Sequence, residues 1–513
     1  MTAPGTVYLV GAGPGDPELI TRRGLRRLRE ADVVLYDALI HPDQLSEARP
    51  EAELVFVGKR AGRVSQRQAE INRHLVEAAR KGKTVVRLKG GDPYLFGRGS
   101  EEAELLASEG IPFEVVPGVP SPLAATAYAG LSLTHRSLAS SVAYVTATES
   151  VEKDRASHDW SKLATATQTL VIFMGMRKLD SLTTLLIENG RPADTPAAVV
   201  QWASLPTQRT VVGTLADIHE HATKAGLGLP ALTIVGEVVR LRSSLRWFDT
   251  KPLFGKRMLV TRAVHQAESL AAILRDEGAQ PILAPTIRIA PATDLTPLRN
   301  AIAGLHRYDW ILFTSRNSVE IVLSSMDEAG LDLRALAGVK VCAIGDKTRQ
   351  ALRSRGIVAD LVPKDARAEG VIAELRPLVA GGSRILLPRA EIAREVLPDS
   401  LREAGAEVDV VAVYRNLPPE PKDVVRIRSL VDPSESDAVL FTSSSTVHNL
   451  FELLGPDAAD RLGALDLFSI GPITTRAAER LGLTIAATSS AQTIESLVET
   501  VRAYYAPTGD ADD

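Results

Sequence analysis

Three glycine-rich turns, each following a predicted strand, are the parts of this chain best suited to hold a ligand. GAGPGD (11–16) follows the apolar run VYLV, GGDP (90–93) follows TVVRLK, and PGVPSP (117–122) follows FEVVP. Glycine lets the backbone approach a bound group closely, and Asp92 could accept hydrogen bonds from ribose hydroxyls or an ammonium group. Because α/β sheets bind ligands at the ends of their strands, the three turns predict one composite site.

The first turn is an imperfect dinucleotide-binding fingerprint. Its first two glycines match, but Asp16 occupies the third position, where a small residue is needed for helix–strand packing. Pro14 and Pro17 stiffen the loop and delay the predicted helix to about Glu18. Asp37, at the end of the strand DVVLYD, lies where a ribose-binding acid is often found, so a nicotinamide or flavin cofactor stays open as a disfavoured alternative.

Length and composition limit the architecture and the classes of partner. A chain of 513 residues is too long for one core and predicts about two to four domains. The formal charge of −4 gives no general attraction to nucleic acid or anionic lipid. A single cysteine, Cys342, fits a reducing cytosol, and no leader or membrane-spanning pattern is present. We therefore expect a cytoplasmic protein with no membrane or nucleic-acid partner.

The alternation of strand and helix patterns predicts an α/β fold with mainly parallel sheets. Short β-branched runs such as DVVLY, TVVRLK and TLVIFM alternate with helical patterns such as RRGLRRLREA and GSEEAELLASEG. A polar, basic stretch at 240–257 interrupts this rhythm and predicts a domain boundary near residue 250.

The second half contains an internal repeat. RMLVTR (from 257) is similar to RILLPR (from 384), DWILFTS (from 309) to DAVLFTS (from 437), and VCAIG (from 341) to LFSIG (from 467). Because the blocks keep one order at an offset of roughly 127 residues, this half predicts two related α/β lobes with a ligand between them. Ser315, Ser318, Ser443 and Thr446 follow the FTS turns; they could bind an anion or simply cap helices.

Seven separated motifs give the first half a family resemblance. GAGPGDPELIT, LYDALI, VFVGKR, VRLKGGDPYLFGRG, VVPGV, LTHR and FMGM occur in that order between about residues 6 and 248. The set resembles the uroporphyrinogen-III C-methyltransferases of the tetrapyrrole methylase family. The resemblance implies a two-lobed methylase fold that binds S-adenosylmethionine in a cleft, releases S-adenosylhomocysteine, and forms a homodimer.

The resemblance also implies site residues in this half. The cofactor-binding residues are Pro14, Gly90, Gly91, Asp92, Leu95, Pro120, Ser121, Met174 and Ala203. Family members usually carry Thr-Ala or Thr-Ser where this chain has Pro120-Ser121, which puts that local contact in doubt.

The chemistry implied is methylation of uroporphyrinogen III at C2 and then C7, giving precorrin-2. Asp37 is the implied proton acceptor and Lys59 the implied proton donor, and a carboxylate near a lysine stays ionised and can act as a base. A structural Asp–Lys pair is the plain alternative. The substrate carries many carboxylates, and the candidate cations for them are Lys59, Arg60, Arg63, Arg87, Lys89, His135 and Arg136.

The second half resembles the uroporphyrinogen-III synthases through LVTR, FTS, AIG, VYR and SIGPITT, over about 257–503. This resemblance implies cyclisation of hydroxymethylbilane with inversion of ring D, without a metal or organic cofactor. Tyr414 matches a tyrosine suspected of assisting loss of water, although strand packing explains it about as well. Thr474 and Ser443, Ser444 and Ser445 match implied carboxylate contacts.

The two resemblances together imply the domain plan. The methylase half covers 1–248, with lobes at about 1–117 and 118–248, and a linker follows at 249–256. The synthase half covers 257–505 with exchanged segments, one lobe combining 254–289 with 417–504 and the other covering 290–413. Residues 506–513 are expected to be a disordered tail.

Two rival functions stay open at this point. One is a methylase of the same fold acting on a later corrin intermediate or on a protein. The other keeps the methylase half and makes the C-terminal half a non-catalytic ligand-binding module. A product destined for sirohaem and one destined for cobalamin are equally compatible with the sequence.

Overall fold

The computed structural model describes residues 3–58, 68–147, 158–364, 368–379, 381–393 and 395–506. The chain divides into two compact units, one holding the described residues up to 258 and the other most of those from 259 to 500. Within the described ranges, no helix is long and apolar enough to cross a bilayer. Of the predicted tail at 506–513, all but Ala506 lies outside the described residues.

The N-terminal half begins with a parallel sheet of five strands in the order β3-β2-β4-β1-β5. The strands are β1 (Val7–Gly11), β2 (Val33–Tyr36), β3 (Glu53–Phe56), β4 (Val85–Lys89) and β5 (Phe113–Val116). The helices are α1 (Arg22–Glu30), α2 (Pro42–Leu45), α3 (Gln68–Arg80) and α4 (Gly99–Ser108). Leu9 and Leu35 face one apolar core and Val10 and Leu88 the other, as expected for a sheet covered on both faces.

A second sheet follows, with strand order β6-β7-β10-β8-β9. Its strands are β6 (Val142–Thr146), β7 (Thr169–Phe173), β8 (Pro196–Gln201), β9 (Arg209–Thr214) and β10 (Ala231–Val235). The accompanying helices are α5 (Ser121–Tyr128), α6 (Trp160–Ala166), α7 (Leu179–Glu188), α8 (Ile218–Lys224) and α9 (Arg242–Leu245).

The prediction of mainly parallel pairing is wrong for this second sheet. Only β6 and β7 pair in parallel, whereas the β7–β10, β10–β8 and β8–β9 pairs are antiparallel. Residues 202–208 alone connect β8 to β9, and a parallel crossover needs roughly a dozen residues.

The first helix after the opening turn begins later than predicted. Pro17–Leu19 form one 3₁₀ turn, in which the Asp16 carboxylate accepts a hydrogen bond from the Glu18 N–H at 2.9 Å. Helix α1 starts only at Arg22, where the Thr21 hydroxyl accepts from the Gly24 N–H at 3.1 Å. Side-chain caps therefore move the helix start away from Glu18.

The C-terminal half is also α/β. Its strands are β11 (Arg257–Val260), β12 (Gln280–Leu283), β13 (Arg288–Pro291), β14 (Trp310–Phe313), β15 (Lys340–Ala343), β16 (Arg384–Ala390), β17 (Glu407–Leu417), β18 (Ala438–Phe441), β19 (Asp466–Ser469) and β20 (Ala487–Thr488). Its helices are α10 (Val264–Asp276), α11 (Thr296–Ala303), α12 (Arg316–Glu328), α13 (Asp346–Ser354), α14 (Ala368–Leu375), α15 (Val396–Glu403), α16 (Pro421–Leu430), α17 (Ser444–Leu454), α18 (Ala458–Gly463), α19 (Pro472–Glu479) and α20 (Ile494–Tyr505).

The internal repeat is visible in the order of these strands. One sheet has the order β12-β11-β18-β19-β20 and the other β13-β17-β16-β14-β15. The repeated blocks fall on β11 and β16, on β14 and β18, and on β15 and β19. Equivalent strands hold equivalent positions, but β11 lies beside the strands of the second copy and β16 beside those of the first.

Candidate functional site

The three glycine turns of the N-terminal half meet at the carboxyl ends of β1, β4 and β5. The Gly13 N–H donates to the Gly91 carbonyl at 3.2 Å, and the Gly91 N–H donates to the Gly13 carbonyl at 2.9 Å. A Cβ atom added to Gly11 would lie 2.5 Å from the Gly118 nitrogen, and one added to Gly118 would lie 2.3 Å from the Gly91 oxygen. Only glycine permits this approach, so the turns form one cradle of backbone groups.

Asp92 joins two of these turns. One carboxylate oxygen accepts from the Tyr94 and Leu95 N–H groups at 2.8 and 3.2 Å, and the other accepts from the Gly118 N–H at 3.1 Å. The side chain was predicted to contact a cofactor; the structure shows it holding the backbone of the cradle. Its half-buried oxygens keep free lone pairs for an additional donor.

The structure brings several of the other predicted cofactor-binding residues to this cradle. The Ser204 hydroxyl lies 2.6 Å from the Pro14 carbonyl, and a Cβ added to Gly15 would lie 2.4 Å from the Ala203 oxygen. A Cβ on Gly91 would lie 3.7 Å from the Ser121 nitrogen and 4.0 Å from Pro120 Cα. Ser121 opens helix α5, in which Pro122 has no N–H and the Leu123 and Ala124 N–H groups donate to the Pro120 carbonyl at 3.0 and 3.5 Å.

Strained backbone marks the same region. Among the described residues, the non-glycine positions with positive φ are Phe96, Arg98, Met174, Trp202 and Ser204, at 50–66°. All five follow strands or turns of the N-terminal half, and strain of this kind clusters at ligand sites. The side chains of Phe96, Met174 and Trp202 remain 41, 48 and 38% exposed. They offer apolar surface suited to a flat ring system. Phe96 and Trp202 were not among the residues predicted from the sequence.

Asp37 follows β2 beside the second turn. A Cβ added to Gly90 would lie 3.9 Å from an Asp37 carboxylate oxygen. The cationic partner that the structure shows for Asp37 is Arg87, at 4.0 Å. The predicted partner Lys59, like Arg60 and Arg63, lies outside the described residues.

The sequence predicts Arg87 and Lys89 as open cations for substrate carboxylates. The structure instead shows both of them buried. Both are 4% exposed, and both contact Glu102, which is fully buried: Arg87 at 3.2 Å and Lys89 at 3.1 Å. Burial and the nearby Arg87 lower the pKa of Lys89, while Glu102 opposes that shift. Glu102 could not be identified from the sequence, because a glutamate in a helical pattern is usually solvent-exposed.

His135 and Arg136 lie on an exposed turn between α5 and β6. The His135 N–H donates to the Ala139 carbonyl at 2.8 Å, and a ring nitrogen of His135 lies 3.0 Å from the Ser137 hydroxyl. None of the described contacts joins these two side chains to the glycine cradle.

Tyr414 lies near the end of β17 in the C-terminal half. It is 8% exposed, and its hydroxyl lies 3.2 Å from the Ser315 hydroxyl at the start of α12. Ser315 and Ser318 form a capping box, so the capping interpretation is correct for this pair. A groove of about 240 Å³ beside them is lined by Pro291, which pairs with Tyr414 in the sheet, and by the α12 side chains Asn317 and Glu320.

The second FTS turn is built in the same way. The Ser443 hydroxyl accepts from the Thr446 N–H at 3.3 Å and lies 2.9 Å from the Ser445 hydroxyl. The Ser444 hydroxyl donates to the Ile473 carbonyl at 3.3 Å, which ties α17 to the start of α19. Ser443 therefore caps α17, while Ser444 contacts the first turn of α19.

Thr474, a predicted substrate contact, is 4% exposed on the inner side of α19. The neighbouring Thr475 is half-buried, and its hydroxyl lies 2.5 Å from the Ser469 hydroxyl and 2.7 Å from the Thr488 hydroxyl. A helix turns about 100° per residue, so adjacent threonines face different surroundings and the sequence alone did not separate them.

Comparisons with known proteins cover both halves. Residues 6–219 match the family described as "Tetrapyrrole (Corrin/Porphyrin) Methylases" and residues 268–499 match "Uroporphyrinogen-III synthase HemD". The "Porphyrin biosynthesis protein HemD" of Ruminiclostridium josui is 36% identical over 96% of this chain and 97% of its own length. A "Uroporphyrinogen-III C-methyltransferase" of Bacillus subtilis is 38% identical over 72% of this chain and 75% of its own.

Solved structures resemble each half separately. The uroporphyrin-III C-methyltransferase of Thermus thermophilus is 45% identical, covering 46% of this chain and all of its own, with a TM-score of 0.40. A mutant uroporphyrinogen III synthase of the same organism is 22% identical, covering 48% of this chain and 98% of its own, with a TM-score of 0.37. With a relative matched along nearly its whole length, the chain belongs to the family of proteins that fuse a tetrapyrrole methylase to a uroporphyrinogen-III synthase.

Proposed function

We propose that the chain is an enzyme with two consecutive activities. Its C-terminal half is a lyase that closes hydroxymethylbilane to uroporphyrinogen III with inversion of ring D. Its N-terminal half is a methyltransferase that methylates that product at C2 and C7 to give precorrin-2. The whole-length similarity to a porphyrin biosynthesis protein is the observation that carries this proposal.

The methylase half uses S-adenosylmethionine as its methyl donor, and the chemistry of the cradle fits such a group. The converging turns offer backbone N–H and carbonyl groups without side chains at Gly11, Gly91 and Gly118. The residues proposed to hold it are Pro14, Gly90, Gly91, Asp92, Leu95, Pro120, Ser121, Met174 and Ala203. When bound, the donor supplies an electrophilic methyl group and is released as S-adenosylhomocysteine.

Side chains of the methylase half are proposed to accept the proton lost from the macrocycle and to bind the substrate carboxylates. An electron-rich pyrrole carbon takes the methyl group, and a proton must then leave the macrocycle. Asp37 is proposed to accept it, with Arg87 at 4.0 Å favouring the ionised carboxylate before the reaction. Lys59 is proposed as proton donor, and Arg60, Arg63, His135 and Arg136 as contacts for the substrate carboxylates.

In the synthase half, ring closure requires hydroxide to leave hydroxymethylbilane as water. Tyr414 is proposed to assist that loss as a proton donor, supported by its position beside the groove and the Ser315 hydroxyl. The proposed substrate contacts of this half are Ser443, Ser444, Ser445 and Thr474. We also propose that two chains associate through the methylase half. The methylated product would then enter sirohaem or cobalamin synthesis.

The methylase assignment is tested by supplying uroporphyrinogen III and labelled S-adenosylmethionine to the full chain. The proposal expects two methyl groups per macrocycle. Labelling of a later corrin or of protein, with none on uroporphyrinogen III, would favour a different methylase of this fold. The variant Met174→Ala, in the proposed donor site, should raise the KM for S-adenosylmethionine and leave the KM for the macrocycle nearly unchanged.

A further inference from the structure

A closed ring of hydrogen bonds joins three segments of the N-terminal half. The Asp16 N–H donates to the Ser204 hydroxyl at 3.0 Å, and the Ser204 N–H donates to the Gln208 side-chain carbonyl at 2.9 Å. The Gln208 amide donates to the Tyr128 carbonyl at 3.2 Å, and the Tyr128 hydroxyl donates to the Asp16 carboxylate at 2.7 Å. We call these four residues the Asp16 ring.

The ring is built from buried groups in a strained setting. Ser204 is 3% and Gln208 4% exposed, so water does not replace a lost partner without disturbing the packing. Ser204 holds a φ of 66°, which a serine adopts only when its surroundings demand it. The Tyr128 ring packs edge-on against Phe248 with centroids 4.8 Å apart. Burial and Asp16 raise the pKa of Tyr128, so its hydroxyl remains a donor at neutral pH.

Each segment of the ring also carries a residue proposed to contact the methyl donor. The first is the turn containing Pro14, whose carbonyl lies 2.6 Å from the Ser204 hydroxyl. The second is helix α5, which begins at Ser121 and ends at Tyr128. The third is the connection after β8, where Ala203 adjoins Ser204. The proposed contacts come from distant parts of the chain, and these bonds set their separation.

We propose that the Asp16 ring positions the methyl-donor site, with Ser204 and Gln208 as positioning residues that touch no substrate. This inference rests on the proposed function of the methylase half. A ring that fixes three segments before binding removes part of the ordering cost that binding would otherwise carry. It also gives Asp16 a role: its carboxylate is the acceptor that closes the ring, instead of a group facing the cofactor.

The test is calorimetric titration of S-adenosylhomocysteine into the full chain and into its variants. Tyr128→Phe should raise the Kd about tenfold, as expected for the loss of one hydrogen bond. Ser204→Ala should raise it at least about tenfold, because its hydroxyl both accepts from the Asp16 N–H and donates to the Pro14 carbonyl. Asp16→Asn keeps a polar partner for Tyr128 and should bind within about threefold of the unchanged chain. Asp16→Ala also removes the acceptor of the Glu18 N–H and should weaken binding at least as much as Tyr128→Phe. Ser108→Ala, which removes a hydroxyl from an exposed helix end, is the matched control.

Kinetics separate positioning from a general loss of stability. The ring variants should raise the KM for S-adenosylmethionine about tenfold while the KM for the macrocycle changes little. If Tyr128→Phe and Ser204→Ala lower the melting temperature but bind the ligand as the unchanged chain does, the ring is only structural and the inference is wrong. If Ser204→Ala does not fold, Tyr128→Phe decides alone, because it removes a single oxygen. Failure of the unchanged chain to bind S-adenosylhomocysteine would overturn the proposed function itself.

Discussion

A guanidinium nitrogen of Arg87 lies 4.0 Å from a carboxylate oxygen of Asp37. The proposed proton acceptor thus has a buried cation as neighbour, and that cation is in turn held by Glu102 at 3.2 Å. A lysine from the VGKR motif was the partner expected from the sequence. The proposed base therefore interacts with a cation from β4, Arg87, which is itself held by a carboxylate from α4, Glu102.

Asp37→Asn should lower methyl transfer about 100-fold or more, because an amide of the same shape cannot accept the proton. Binding of S-adenosylhomocysteine should stay within about twofold, since the change leaves the glycine cradle intact. Initial rates with uroporphyrinogen III and a labelled donor give the first quantity and calorimetry the second. The matched control Asp180→Asn, on the exposed α7, should keep full activity; a similar rate in both variants would exclude Asp37 as the base.

Glu102→Gln should destabilise the methylase half by about 3 kcal/mol, because it removes the buried anion that Lys89 and Arg87 share and leaves Arg87 with the Asp37 carboxylate at 4.0 Å. The adjacent Glu101, half-exposed and paired with Arg98, provides the comparison. Glu101→Gln should cost less than about 1 kcal/mol, as surface pairs do. Urea denaturation of the two variants, followed by a probe in this half, measures the difference; equal midpoints would contradict the buried-cluster description.

Tyr414→Phe should slow formation of uroporphyrinogen III about 100-fold if its hydroxyl donates a proton during loss of water. Tyr308→Phe is the matched control, because Tyr308 is also buried in this lobe and its hydroxyl donates to Asp409 at 2.7 Å. That control should lose some stability but little activity. Equal rates in the two variants would assign Tyr414 to packing, and methyl transfer to supplied uroporphyrinogen III should be unchanged in both.

Cys342, the single cysteine of the sequence, should react with a thiol reagent only after unfolding. Burial raises its pKa to about 12 from 9.0, so the folded state retains a proton that the unfolded state loses. Its contribution to stability is full below about pH 9 and decreases as the pH rises towards 12. Labelling kinetics at pH 8 should follow unfolding; fast labelling of the native chain would show that the site is open.

The sequence was sufficient for the α/β class and for the two family assignments. Strand runs such as VYLV (7–10) and VVLY (33–36) can be recognised from the sequence alone, since strands buried on both faces are almost continuously apolar. The convergence of the glycine turns could also be predicted, because parallel strands place successive turns at one edge.

Other features depended on tertiary contacts that leave no local pattern. The antiparallel pairing of β8 with β9 follows from their short connection, whereas the antiparallel placement of β10 between β7 and β8 has no local sequence signal. The commitment of Arg87 and Lys89 to Glu102 requires that α4 pack against β4, and the Asp16 ring joins residues far apart in sequence. For Thr474 and Thr475, one step along a helix separates a buried side chain from a half-buried one, and no local sequence pattern distinguishes the two.

The most direct test of the central claim is a coupled reaction of the full chain with hydroxymethylbilane and labelled S-adenosylmethionine. The account predicts a type III macrocycle carrying two labelled methyl groups. When the methyl donor is omitted, it predicts unmethylated uroporphyrinogen III. Accumulation of only the type I isomer, which hydroxymethylbilane forms spontaneously, would show that the C-terminal half binds a ligand without catalysing ring inversion. It would contradict the proposal of two consecutive activities in one chain.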